Sequence, residues 1–380
     1  MTDMQSQSDV FFVRQEMVEA APPPIPVRGV WPWMRKNLFG SIGDTILTLV
    51  GVAVAIAIVV PVLQWSLFNA TWSGDNREAC APNIVGACWA FVKANFGQFM
   101  YGRYPDPERW RVNLAFVLLA IGIVPLAIPS APFKRLTLLY VFIIFPVLSG
   151  CLLIGGVAGL PVVETALWGG LFLTLVVSYV GMAMSLPLGI ILALGRRSKM
   201  PAVHYVCVAF IELCRGIPLI TVLFMAGILL PLFLPTGVNF DKLLRALLGL
   251  SLFAAAYMAE VVRGGLQAIP KGQYEGAKSL GLGYWTMTRL IILPQAITIV
   301  IPGIVNTFIG LFKDTSLVYI ISIFELLYTV RNSFTDPSWA TSTTPASGLA
   351  FAAIVFWVFC FGMSRYSKFT EDRLRVGYKR

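Results

Sequence analysis

Charged residues along this chain fall in short clusters, and between the clusters run long uncharged apolar stretches. A helix needs roughly 20 such residues to cross a bilayer. TILTLVGVAVAIAIVVPVL supplies one inside the uncharged run 45–74, and apolar stretches with few or no charges lie at 112–130, 136–158, 165–195, 216–236, 243–262, 289–311 and 346–364. The fifth is placed to begin at 216 because Glu212 and Arg215 would be costly at mid-membrane. No segment alternates with period two often enough to build a barrel, so helices must satisfy the backbone inside lipid. The pattern predicts an all-α integral membrane protein of about eight spans.

The polar clusters then divide the chain. Residues 1–43 form a Pro-interrupted tail ending in WPWMRK, whose tryptophans and basic residues suit a membrane interface. Residues 44–160 carry three spans and a long loop, 67–111, whose aromatic segment FVKANFGQFMYGRYP is expected along the membrane surface. Residues 165–368 carry five spans, with a polar connection at 264–288, and 369–380 form a second tail. Asp3, Asp9, Glu16, Glu19 and the APPPIP tract precede any apolar stretch, which is unlike a secretory leader.

Charge orients this arrangement. Of the 29 Lys and Arg residues, 20 fall on the side that holds both termini and 9 on the other, so both termini are expected in the cytoplasm. Only 13% of residues are charged and 57% are hydrophobic, against about 25% charged in a soluble domain. The net charge of +10 lies beside apolar runs rather than on one soluble face, which argues for membrane topology and against nucleic acid. Cys151, Cys207, Cys214 and Cys360 lie in or beside apolar runs and are expected to be ordinary small buried residues. Cys80 and Cys88 share the outward loop, where an oxidising compartment would permit a disulfide.

Two segments share the pattern E-x-x-R-G, Glu212 to Gly216 and Glu260 to Gly264. At i, i+3 on a helix, Glu212 can meet Arg215 and Glu260 can meet Arg263. Either each pair neutralises itself near the headgroups, or both belong to a shared cytoplasmic gate. The stretch GQYEGAKSLGLGYWTMTRLIILP, 272–294, is polar and glycine-punctuated between two apolar runs. Pro270 offers a helix start and Gly281 and Gly283 an end. Gly276 and Ala277 present almost no side chain, so the stretch is either a spacer or a helix on which another protein docks, with Glu275 fixing orientation.

Glu275-Gly276-Ala277, Gly281, Ile291 and Leu293-Pro294 are very similar in spacing to the EAA loop of ABC-importer permeases, with Gly276 standing where that family has its first alanine. FIELCRGIPLI, AYMAEVVRGGLQAIPKGQYEGAKSLG, LPQAI and KDTSLV resemble the polar amino-acid uptake branch of these type I importers, over residues 165–370. The extra N-terminal region resembles the longer permeases of general L-amino-acid importers. The resemblance implies a coupling helix at Glu275–Gly281 seated in a cytoplasmic ABC ATPase dimer, which binds ATP and Mg. It also implies a second, unlike permease, a periplasmic amino-acid-binding protein, and L-amino acids of broad range carried inward across the bacterial inner membrane by alternating access.

Lys313-Asp314-Thr315-Ser316 and Glu325 are either an interfacial cap, with Asp314 facing Lys313 or Arg331, or a polar lining for a zwitterion's path. Asn306, Thr174, Ser178 and Ser185 are weaker candidates, since Ser and Thr often pack helices in membranes. His204, the single histidine, is expected to be structural. There is no phosphate loop and no zinc-like Cys/His set, so no catalytic, metal or cofactor site is expected in this chain. The alternative is a secondary transporter driven by an ion gradient, which would need coupling-ion ligands at mid-membrane.

Overall fold

The structure is a computed structural model and describes residues 29–80, 85–128, 130–157, 159–233, 235 and 240–375. The outermost parts of both predicted tails, 1–28 and 376–380, lie outside the described residues. Among the described residues there are helices and isolated bridges but no β-strand. Among the described residues seven helices are long and apolar enough to cross a membrane, and there are eight if one bent pair counts as a span.

The chain divides into two units, Met1–Gln64 and Trp65–Arg380. The first holds α1 (Val30–Asn37), formed by the Trp-rich interface cluster, and α2 (Ile42–Leu63), the body of the first span. Ser41 begins α2, its hydroxyl oxygen accepting the Asp44 N–H at 3.1 Å while Asp44 places a negative charge in the first turn.

In the second unit the aromatic loop folds inward. It forms α3 (Trp89–Ala94) and α4 (Phe96–Tyr101), with Phe91 and Phe99 completely buried. Phe91 packs against Trp339 at 6.2 Å between ring centroids, and Phe99 against Phe351 at 5.5 Å. Phe91 and Phe99 thus anchor the segment against the bundle, while Phe96 stays exposed. A Cys80–Cys88 disulfide closes the loop, with Cα atoms 5.8 Å apart, and the Cys88 N–H donates to Ser347 Oγ at 2.7 Å.

The next spans are α5 (Arg109–Ala127) and the pair α6 (Lys134–Leu139) and α7 (Phe145–Ile154). Then follow α8 (Gly170–Arg196), α9 (Pro201–Gly216) and α10 (Leu219–Phe224), which continues to Phe233. α9 meets that segment at 106°, so the fifth span is short and is preceded by an amphipathic helix that the apolar-run pattern does not mark. The remaining helices are α11 (Lys242–Ala268), α12 (Lys271–Ser279), α13 (Tyr284–Met287), α14 (Leu293–Asp314), α15 (Leu326–Asn332) and α16 (Thr344–Arg375).

Helices α8, α11 and α14 form the centre of the second unit. Where α8 meets α11, a Cβ added at Gly189 would lie 2.7 Å from Met258 Cβ; where α11 meets α14, one at Gly265 would lie 2.6 Å from the Ala296 carbonyl. Only small residues permit backbones this close in a bilayer, where packing rather than water expulsion drives helix association. Single π-helical turns at Tyr140–Ile144, Met225–Leu229 and Thr288–Ile292 each come just before a proline, Pro146, Pro231 and Pro294. A proline lacks the N–H of its turn and its ring presses on the carbonyl four residues back, and the wider π turn relieves both.

Candidate functional site

The polar stretch at 272–294 becomes helix α12. Pro270, at φ −58°, precedes its first turn. The helix closes with Gly281 at φ +71°, its N–H donating to the Lys278 carbonyl at 2.9 Å while the Leu282 N–H donates to Ala277 at 3.1 Å. This is a Schellman closure, and it needs a residue that tolerates the left-handed region.

The adjacent small residues Gly276 and Ala277 have different surroundings. Ala277 is only 2% exposed and sits in an apolar cluster with Leu266, Ile269 and Ile292. Gly276 is exposed, and a Cβ there would meet nothing within 4 Å. The idea that both residues invite close approach from outside is corrected: Ala277 serves the chain's own packing, while Gly276, Glu275, Lys278 and Leu280 make the free face. The helix buries more apolar surface in its own bundle than its composition suggests, because Tyr274 and Leu282 flank Ala277 in that cluster.

Polar bonds then pin α12 to three spans. Arg197, at the end of α8, donates from Nη1 to the Leu266 carbonyl of α11 at 2.9 Å and to the Tyr274 hydroxyl at 3.2 Å. Tyr274 in turn donates to Leu266 O at 3.2 Å, and Gln295 Nε2 on α14 donates to Gln273 Oε1 at 3.2 Å.

Beside this lies a charge cluster centred on Glu260. Its Oε1 accepts from Arg196 Nη1 at 2.7 Å, and its Oε2 accepts from Arg263 Nη2 at 2.8 Å and Nε at 3.0 Å. Arg215 Nη1 lies 3.6 Å from the same Oε2. Arg196 also reaches Glu212 Oε1 at 2.9 Å. The pairing of Glu212 with Arg215 is thus corrected: Glu212 pairs with Arg196, and Arg215 turns to Glu260. The Glu212 side chain is 54% exposed and that of Glu260 only 16%, so guanidinium groups gather where water screens attraction least. Three arginines then share two carboxylates from three helices, which makes this a junction of α8, α9 and α11. His204 joins it through Nδ1–H, which donates to the Arg196 carbonyl at 2.6 Å.

Arg196, Arg197, Tyr274 and Gln295 have no place among the candidates read from sequence. GRRSK signals only topology there, and nothing in spacing says which helix ends will meet.

The family of binding-protein-dependent transport system inner membrane components matches residues 185–376. The chain belongs to that family. The match begins within α8 and takes in α12 and the whole charge junction. The inner membrane amino-acid ABC transporter permease protein YhdY of Escherichia coli is 50% identical over 345 residues, covering 91% of this chain and 93% of its own. The glutamate/glutamine/aspartate/asparagine transport system permease protein BztC of Rhodobacter capsulatus is 39% identical, covering 98% of this chain and 100% of its own. A crystal structure of an amino acid ABC transporter with histidines aligns over 54% of this chain and 92% of its own, at 27% identity and a TM-score of 0.47. Its family and its amino-acid ABC transporter permease relatives make the chain a multi-pass inner-membrane permease that works with an ATPase and a periplasmic binding protein.

The permease keeps its other polar candidates apart. Asn306 and Lys313 are exposed, Asp314 and Ser316 are half-buried, and Asp314 forms no salt bridge among the described residues. Thr315 is fully buried and donates to the Phe312 carbonyl at 2.7 Å. Glu325, also fully buried, caps α15, accepting the N–H groups of Leu327 at 2.8 Å and Tyr328 at 2.7 Å. Burial pushes its carboxyl up to about 7, against the downward pull of those two N–H groups. Each Glu325 oxygen accepts one backbone N–H, so the carboxyl caps the start of α15. Thr174 accepts the Leu326 N–H at 3.0 Å, and Ser178 and Ser185 donate to carbonyls of their own helix. Leu293 and Pro294 begin α14 directly after its π turn.

Proposed function

We propose that this permease carries L-amino acids of broad range from periplasm to cytoplasm, driven by ATP bound with Mg on a partner ATPase dimer. It pairs with a second, unlike permease and holds both termini in the cytoplasm. The observation that carries the mechanism is the placement of α12: a polar helix whose free face offers Glu275 and Gly276, and whose other face is pinned to α8, α11 and α14. A push on such a helix moves three spans together rather than bending a loop. The Glu260 junction joins α9 to two of these spans, α8 and α11, and serves as the cytoplasmic gate, since rearranging it exchanges partners among groups already paired. The names of its relatives support amino acids as cargo.

The test is reconstitution of the complex in proteoliposomes with the binding protein outside and ATP inside. Labelled amino acids are expected to accumulate only with ATP. Uptake that follows an ion gradient and ignores ATP would overturn the proposal in favour of a secondary transporter.

A further inference from the structure

A large cavity lies away from α12, between the second and third spans and the five-span part. It is a half-open cleft of about 710 Å³, inside the roughly 300–1,000 Å³ typical of small-molecule sites. Phe116 from α5, Leu153 from α7, Phe172 from α8 and Leu247 from α11 form its apolar walls. Among the described residues none of its lining side chains is Lys or Arg, although Arg103 donates to the carbonyl of the lining residue Ala166 at 3.2 Å. Two features depart from a plain apolar void. Trp168 lines it, only 5% exposed, and the buried indole Nε1–H has no hydrogen-bond partner. At the mouth stand two exposed carboxylates, Glu164 and Asp241. Asp241 accepts from the Thr165 hydroxyl at 2.5 Å and from the Leu244 N–H at 3.0 Å, and Glu164 forms no salt bridge among the described residues.

We infer that this cavity is a phospholipid site, selective for a headgroup with a primary ammonium such as phosphatidylethanolamine. Its four walls come from spans that cross the membrane, so acyl chains are the apolar material at hand. Apolar cavities do not hold water unless polar groups offer it two or more partners. An acyl chain instead satisfies the walls, and an ester carbonyl near the rim accepts the Trp168 N–H that is otherwise buried unpaired. The carboxylates at the mouth attract an ammonium, which can donate hydrogen bonds to them, and repel the net negative headgroup of phosphatidylglycerol. The lipid would join the N-terminal spans to the five-span part. The inference rests on the chain being membrane-embedded and stands apart from which solute it carries.

The experiment uses the full-length permease purified with its partner subunits into nanodiscs of dioleoyl phosphatidylethanolamine and phosphatidylglycerol in equal parts. Native mass spectrometry after detergent release reads the retained lipid. Phosphatidylethanolamine is expected to stay bound. Gly150→Leu fills the cavity, because Gly150 lines it and a Cβ there meets nothing within 4 Å. That variant is expected to assemble and lose the lipid, as is Leu247→Trp. Glu164→Gln combined with Asp241→Asn is expected to keep a lipid but lose the preference between the two headgroups. Retention of phosphatidylglycerol over phosphatidylethanolamine, or equal retention by wild type and both filled variants, overturns the inference. Filled variants that keep the lipid yet lose uptake also overturn it and assign the cavity to cargo.

Discussion

Arg196 bonds Glu260 and Glu212 with separate nitrogens and lends its carbonyl to His204, so removing it strips two carboxylates of their nearest partner. A double-mutant cycle on thermal stability tests this: the loss from Glu212→Arg is expected to be partly recovered by Arg196→Glu and not by Arg215→Glu. The coupling energy should be on the order of 1 kcal/mol. Equal recovery by Arg215→Glu would sink the assignment. Glu325 offers a second test, through pH. Its folded pKa of about 7 lies above the ordinary 4.5, so the folded protein binds that proton more tightly than the unfolded chain does. Stability from this group is present in full below the unfolded value and falls as pH rises between the two. The loss is on the order of a few kcal/mol and levels off above the folded value. Thermal melts across that window should slope downward in wild type and flatten in Glu325→Gln. At this scale sequence pattern is a good guide to residue type and a poor guide to partner. The i, i+3 rule finds Glu260 with Arg263 correctly but misses Arg196, because nothing local records that the end of α8 meets α9 and α11.

On α12 the two small residues separate docking from packing. Gly276→Trp projects into open space, so the melting temperature should hold while ATP-driven uptake is lost; normal uptake in proteoliposomes would remove Gly276 from the docking face. Ala277→Leu overfills the cluster with Leu266 and Ile292, and a loss of about 1–3 kcal/mol in unfolding stability is expected. Gly281→Ala strains the helix closure at φ +71° and should cost about 1–2 kcal/mol. The limits of this helix are legible in sequence, because proline-first and glycine-last signals are local chemistry. Which side faces inward is not, since a helix this short and polar shows no decisive apolar stripe. The same reason hides α9: its apolar face is interrupted by Glu212 and Arg215, and a search for uncharged runs passes over it.

For the whole permease, the outward placement of the Cys80–Cys88 loop is tested with a membrane-impermeant maleimide on intact spheroplasts. With the four other cysteines replaced by serine, labelling is expected only after reduction; labelling that requires permeabilised membranes would reverse the topology. The number of spans, their order and the bias of positive charge follow from the sequence alone. Transfer of each stretch into lipid is a property of its own composition, added residue by residue. The limits of the polar helix are also local, since its caps lie within one short stretch. Folding alone establishes which helix ends converge on Glu260, which face of α12 is left free, that Phe91 and Phe99 of the aromatic loop are buried, and that a large apolar cleft stands beside Trp168. Each of these depends on contacts between residues far apart in the chain. In a bilayer, where lipid and side chain are equally apolar, hydrophobicity cannot say which of two greasy faces meets another helix. Steric fit, as at Gly189 and Gly265, and the pairing of a few buried charges make that choice, and both exist only once the spans are side by side.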